Sequence, residues 1–114
     1  MNLPEPSSAA FHALVTVLNK DWGVSAPSGD TPTSDWETVR AVFEERILEL
    51  LRRNPQKLAT AMYLLDIQER RFAEAMDQPT MEDRAHALSC VVMERESEKI
   101  RTRWKYSRPD SLDT

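Results

Sequence analysis

Glycine is nearly missing from this chain, with Gly23 and Gly29 as its two examples, both before residue 30. A phosphate-cradling loop needs several closely spaced glycines, so the Walker-type and dinucleotide-binding classes are excluded. Cysteine is scarcer still. Cys90 stands alone, which rules out an internal disulfide and a cysteine cluster for zinc. The two histidines, His12 and His86, do not follow a glutamate by three residues, whereas carboxylate-bridged di-iron bundles need two Glu-x-x-His units. No apolar run approaches the ~18 residues of a spanning helix. The first eight residues are acidic and carry proline, without the basic start and apolar centre of a secretory signal. The expected setting is a reducing cytoplasm, with no membrane and no cofactor.

What is present suits one modest helical domain. The chain has 114 residues, 40% of them apolar and 30% charged, which is enough to build a core. The net charge of −4 argues against a protein whose whole surface grips nucleic acid. Apolar residues recur with helical spacing, and no segment alternates as a half-buried strand does. The fold class expected is therefore all-α.

Four helices are predicted, forming a small antiparallel bundle of three long helices plus a shorter N-terminal one. The first runs from about Ser8 to Asp21, with Phe11, Leu14, Val15, Leu18 and Trp22 on one face and Gly23 as its stop. Residues 23–34 read GVSAPSGDTPTS, a loop or linker composition. Ser34 and Glu37 have capping-box spacing and open the second helix, whose stripe is Trp36, Val39, Phe43, Ile47, Leu50 and Leu51. Asn54-Pro55 ends that helix and starts the third, since proline disfavours helical geometry before it and suits the first helical position.

The third helix is expected to reach Met76. Its main stripe is Leu58, Ala61, Met62, Leu65, Phe72, Ala73 and Met76, with Tyr63, Leu64 and Ile67 opposite. Two apolar faces predict two sets of neighbours, and hence the central helix. Asp77-Gln78-Pro79 breaks the chain, and Thr80 caps a fourth helix ending at Pro109. The expected organisation is residues 1–33 as helix and linker, 34–108 as the three-helix core, and 109–114 as a frayed tail.

One residue breaks the pattern. Glu69 falls inside the third helix's apolar stripe, where an unpaired carboxylate costs several kcal/mol. Folding back across Asn54-Pro55 brings position 69 near Arg40, the basic residue within the second stripe. A partly buried Glu69–Arg40 ion pair is expected, with Asp66 and Arg84 as further members. The alternative is a site in which Asp66 and Glu69 bind a metal or act as acid and base. Asp83-x-x-His86 is the nearest approach to a metal-ligand spacing. Cys90 and His86 share a helix face four residues apart, although a lone helical cysteine is usually an inert apolar residue.

The end of the fourth helix changes character. Glu94, Glu96 and Glu98 give way to Lys99, Arg101, Arg103, Lys105 and Arg108, with Trp104 and Tyr106 interleaved. Residues after about Thr102 are expected to overhang the bundle. Arg101, Arg103, Trp104, Lys105, Tyr106 and Arg108 suit an acidic partner or stacked bases. Basic residues are also favoured at a helix C-terminus by its dipole.

Three short patterns carry a resemblance: Asn54-Pro55-x-x-Leu58, Tyr63-x-x-Asp66-x-x-Glu69 and Lys99-x-Arg101-x-Arg103. They span about half the chain, which resembles a family of short bacterial helical proteins without an established activity. Relatives carry an arginine between the tyrosine and the aspartate, where Leu64 and Leu65 stand here. The resemblance implies an all-α fold and a bacterial source. It implies no activity.

The expected function is a non-enzymatic accessory or interaction protein that contacts another protein or itself. Trp104, Tyr106 and the faces bearing Met62, Met76, Met81 and Met93 would supply adaptable contact area. The alternatives are the metal or enzymatic site at Asp66 and Glu69, and a nucleic-acid accessory role for the basic end.

Overall fold

The computed structural model describes Pro4, residues 8–26 and residues 35–106. Among these residues the chain forms five α-helices and no strand: α1 (Ala9–Trp22), α2 (Trp36–Arg53), α3 (Pro55–Leu64), α4 (Glu69–Met76) and α5 (Met81–Tyr106). The all-α class is as expected. The region of the expected linker after Ala26 and the tail beyond Tyr106 lie outside the described residues.

Local chemistry accounts for the helix ends. The Ser8 hydroxyl accepts from the Phe11 amide at 3.1 Å and opens α1. Gly23 closes it at φ 67, a left-handed geometry that glycine adopts without a Cβ clash. The cap of α2 is Asp35 rather than the expected Ser34, with its carboxylate accepting from the Thr38 amide at 2.8 Å. Those backbone hydrogen bonds favour the charged form and hold the Asp35 carboxyl below its usual range. Asn54 serves two helices at once. Its amide donates to the Leu50 carbonyl at 2.8 Å, ending α2, and its side chain accepts from the Lys57 amide at 3.2 Å, starting α3.

The expected long third helix is two helices. Asp66 takes a left-handed backbone with φ 59, and α3 stops at Leu64 while α4 begins at Glu69. The Leu65, Asp66 and Ile67 amides bond back to Ala61, Tyr63 and Met62, respectively, which satisfies the carbonyls left open at the end of α3. Aspartate tolerates this geometry better than most L-residues. The bend has a packing reward. Ile67, which a straight helix would carry on its outer side, turns in against the core.

The central element is therefore α5, not the expected third helix. It packs against α1, α2 and α4. Ring contacts fix the direction of α1: Phe11 meets Trp36 at 4.5 Å, and Trp22 meets Phe43 at 5.2 Å. So α1 and α2 run the same way, which departs from the simple antiparallel arrangement expected. Phe11, Leu14, Leu18, Phe43, Ile47 and Leu88 have no exposed surface. Each such side chain contributes about 1.5–3 kcal/mol by leaving water. Met62 and Met93 are buried in the core, and Met76 and Met81 pack partly against it. The methionines are filler rather than the contact surface expected of them.

Candidate functional site

The break after Leu64 relocates the residues that sequence spacing had grouped. Glu69 is exposed as the first residue of α4, where the helix dipole favours an acid. Arg40 bonds to Glu37 at 2.7 Å and Glu44 at 2.8 Å on its own helix and meets His86 Nδ1 at 2.9 Å. The expected Glu69–Arg40 pair is replaced by this network. Its premise, a straight helix through residue 69, fails at Asp66.

Asp66 is almost fully exposed and approaches Arg95 at 3.8 Å. Arg84 donates to the Gln78 carbonyl at 2.8 Å and clasps the turn into α5. No group of three or more His, Cys, Asp or Glu side chains is arranged to hold a metal ion among the described residues. A cleft of about 260 Å3 does border Asp66, Arg71, Arg95 and Glu98. Its charges answer one another, because Arg71 bonds to Glu94 at 2.5 Å and Arg95 to Glu98 at 3.0 Å.

The Cys90–His86 neighbours form a longer chain of contacts. Cys90 Sγ lies 3.9 Å from His86 Nε2, and His86 Nδ1 lies 2.9 Å from Glu44 Oε1. That order, thiol to imidazole to carboxylate, is the one that activates a nucleophile. Two features oppose activation. Burial pushes the Cys90 thiol up, and Glu94 and Glu44 add to the effect against Arg40. An arginine only donates and an ionised carboxylate only accepts, so His86 Nδ1 serves Arg40 or Glu44 at any moment, not both. The cluster joins α2 to α5.

The odd carboxylate of this fold is Glu96. It sits on α5 with 4% of its surface exposed, and its Oε2 has no hydrogen-bond partner. Burial raises its pKa above the ordinary glutamate range and Asp21 adds to the rise, while Lys99, a hydrogen bond with the Trp22 side chain and Arg103 draw it back. Glu96 lines a cleft of about 480 Å3 together with Lys20, Asp21, Trp22, Leu64 and Lys99. The ends of α1 and α3 and the later half of α5 meet here. Its lining combines two acids, two lysines and the apolar side chains of Trp22, Ala61, Leu64 and Leu65.

Beside this cleft the chain exposes apolar surface. Tyr63 is 82% exposed and Leu64 73%, although they are the second face that predicted a neighbour for the third helix. No helix among the described residues covers them. At the other candidate surface, Arg101, Arg103, Trp104 and Lys105 are exposed as α5 ends. Arg101, Arg103 and Lys105 each already take part in an interaction. The Tyr106 side chain and Arg108 lie outside the described residues.

The signal for Glu96 was in the sequence. Leu88, Val92, Glu96 and Ile100 are spaced by four, so an acid occupies one step of a continuing core stripe. Grouping Glu96 with the neighbouring acids Glu94 and Glu98 concealed that position. No family model, curated protein or solved structure matches the chain.

Proposed function

We propose that this chain is a non-enzymatic interaction protein, and that it docks a segment of another protein on the α3 bend. The observation carrying the reading is the adjacent exposure of Tyr63 and Leu64, of which Leu64 lines the Glu96 cleft. Single exposed apolar residues are ordinary on protein surfaces. Two together, continuous with a cleft that holds an unsatisfied buried carboxylate, are what a docking site requires: apolar area for affinity and a polar group for register.

Charge selects the occupant. Lys99, Arg101, Arg103 and Lys105 follow the cleft along α5. Two copies paired across this face would set those ends against each other, and like charges at an interface are costly. A different protein avoids the conflict. The cleft lysines Lys20 and Lys99 suit an apolar partner segment edged by acids.

A photoreactive phenylalanine analogue at position 63 would identify the partner, which is then purified for direct titration. Replacing Tyr63 by Ser and Leu64 by Glu together is expected to weaken binding by roughly a hundredfold, the scale of an interface hot spot. Thermal stability should barely change. Unaltered affinity would remove the bend from the interface, and a dimer mass in light scattering would overturn the choice of occupant.

A further inference from the structure

We infer, on the basis of the docking reading above, that the docked segment is extended and sets one Asp or Glu carboxylate among Lys20, Arg46 and Lys57. That carboxylate lies about 10 Å along α3 from Leu64.

A second cleft, of about 270 Å3, has Lys20, Arg46 and Lys57 in its lining. It shares Lys20, Asp21, Trp22 and Ala61 with the Glu96 cleft, so the two adjoin. Lys57, Ala61 and Leu64 stand at i, i+4 and i+7 on one face of α3, and that face lines both clefts. One surface of α3 thus carries a cation at its start and the exposed leucine at its end.

Arg46 is held in place and only partly used. Its Nε donates to the Trp22 carbonyl at 2.8 Å, and its Nη1 pairs with Glu49. Its Nη2 has no hydrogen-bond partner among the described residues and lies 3.9 Å from where a Cβ on Gly23 would stand, at the edge of this cleft. Lys20 and Lys57 are exposed, and among the described residues neither ammonium is in an ion pair. The first turn of α3 contains no acid, so the positive end of its dipole adds to Lys57.

The charge count selects the ligand group. Three cations, Lys20, Arg46 and Lys57, face two acids, Asp21 in the lining and Glu49 on Arg46, which leaves one positive charge over. One charge matches a carboxylate better than a phosphate dianion. Cleft size selects the backbone. Volumes of about 270 and 480 Å3 admit a few side chains, whereas a helix is about 10–12 Å across. An extended chain covers about 10 Å in three residues, so the acid stands three residues from the one that covers Leu64.

The test titrates the full ¹⁵N-labelled chain, following the Arg46 Nε and Trp22 indole resonances. The probes are acetyl-Glu-Ala-Ala-Leu-Leu-amide, its reverse acetyl-Leu-Leu-Ala-Ala-Glu-amide, and both with Gln or phosphoserine in place of Glu. In one of the two directions the Glu peptide is expected to bind roughly tenfold more tightly than its Gln form, and added salt should shrink the preference. Lys20→Gln with Lys57→Gln should abolish the preference while leaving thermal stability and the binding of the Gln peptide unchanged. Tyr63→Ser with Leu64→Ser should weaken the Glu and Gln peptides alike, which reports the docking reading separately. Equal binding of Glu and Gln forms, or a preference that survives the double lysine variant, would overturn the acid assignment. So would a phosphoserine peptide roughly tenfold tighter than the Glu peptide, by making the ligand a phosphate. Silence from every peptide would overturn it as well, whereas the docking reading falls only with the titration of the cross-linked partner.

Discussion

The two flanks of α5 are built differently. On one, α1 and α2 close against it with phenylalanine, leucine and isoleucine side chains that have no exposed surface. On the other, α4, of eight residues, packs on α5 while the ten-residue α3 beside it packs against α2, with Leu58, Met62 and Ala75 as their buried side chains. The first flank is a core made for stability. The second leaves Tyr63 and Leu64 in water, and Leu64 lines the same cleft as the buried Glu96. A protein that keeps apolar surface exposed and a charge buried at one place is tolerating local instability there, and such tolerance is characteristic of functional sites.

The largest effect expected of a test of this contrast comes from the closed flank. Phe43→Ala should cost ~3–5 kcal/mol in urea denaturation, the range for removing a buried aromatic ring. Truncating Tyr63 should stay within ~0.5 kcal/mol, as at an ordinary surface position. If the two variants lost similar stability, the distinction between the flanks would be wrong.

Glu96→Met comes next and should have the opposite sign, a gain of ~1–3 kcal/mol at neutral pH from replacing a buried charge by an apolar side chain. The gain should depend on pH. Burial raises the Glu96 pKa, so between the ordinary glutamate value and its own the folded chain binds more protons than the unfolded one. The stability contributed by this group is complete below that window and falls as pH rises through it. Lys20, Asp21, Trp22, Lys99 and Arg103 surround the carboxylate, and Lys99, Trp22 and Arg103 temper the effect. The advantage of the methionine variant should therefore grow with pH across the window. A pH-independent difference would show that Glu96 is not desolvated.

The smallest effect belongs to the bend itself. Asp66→Gly should stabilise by ~0.5 kcal/mol, because glycine accepts φ 59 without the cost borne by an L-residue. A loss would instead mean that the 3.8 Å approach of Asp66 to Arg95 holds the bend together.

How much could be read in advance follows the same division. The closed flank was legible because its helices are long and amphipathic and their ends carry strong local signals at Ser8, Gly23, Asn54-Pro55 and Thr80. The bend was not. Leu64-Leu65-Asp66-Ile67 contains neither glycine nor proline, and helical periodicity runs through it unbroken. Only tertiary packing, with Ile67 drawn inward, selects the break. The misplaced bend then misplaced the site: a straight helix makes Glu69 the buried acid and Arg40 its partner, whereas the folded chain gives that burial to Glu96. The polar network of Arg40, Glu44, His86 and Cys90 was half visible, since the α5 pair shares a face but its link to α2 depends on how the helices cross.

The joint at Asn54 has a consequence for the bearing of the exposed Tyr63 and Leu64. One residue ends α2 and begins α3, so the two helices meet with no slack between them. The bearing of Tyr63 and Leu64 is thereby indexed to α2, like a pointer keyed to its shaft. Adding a single residue to the first turn of α3 would rotate everything beyond it by about 100° and swing Leu64 off the cleft. The bearing of the proposed docking face is set at Asn54, ten residues upstream of Leu64.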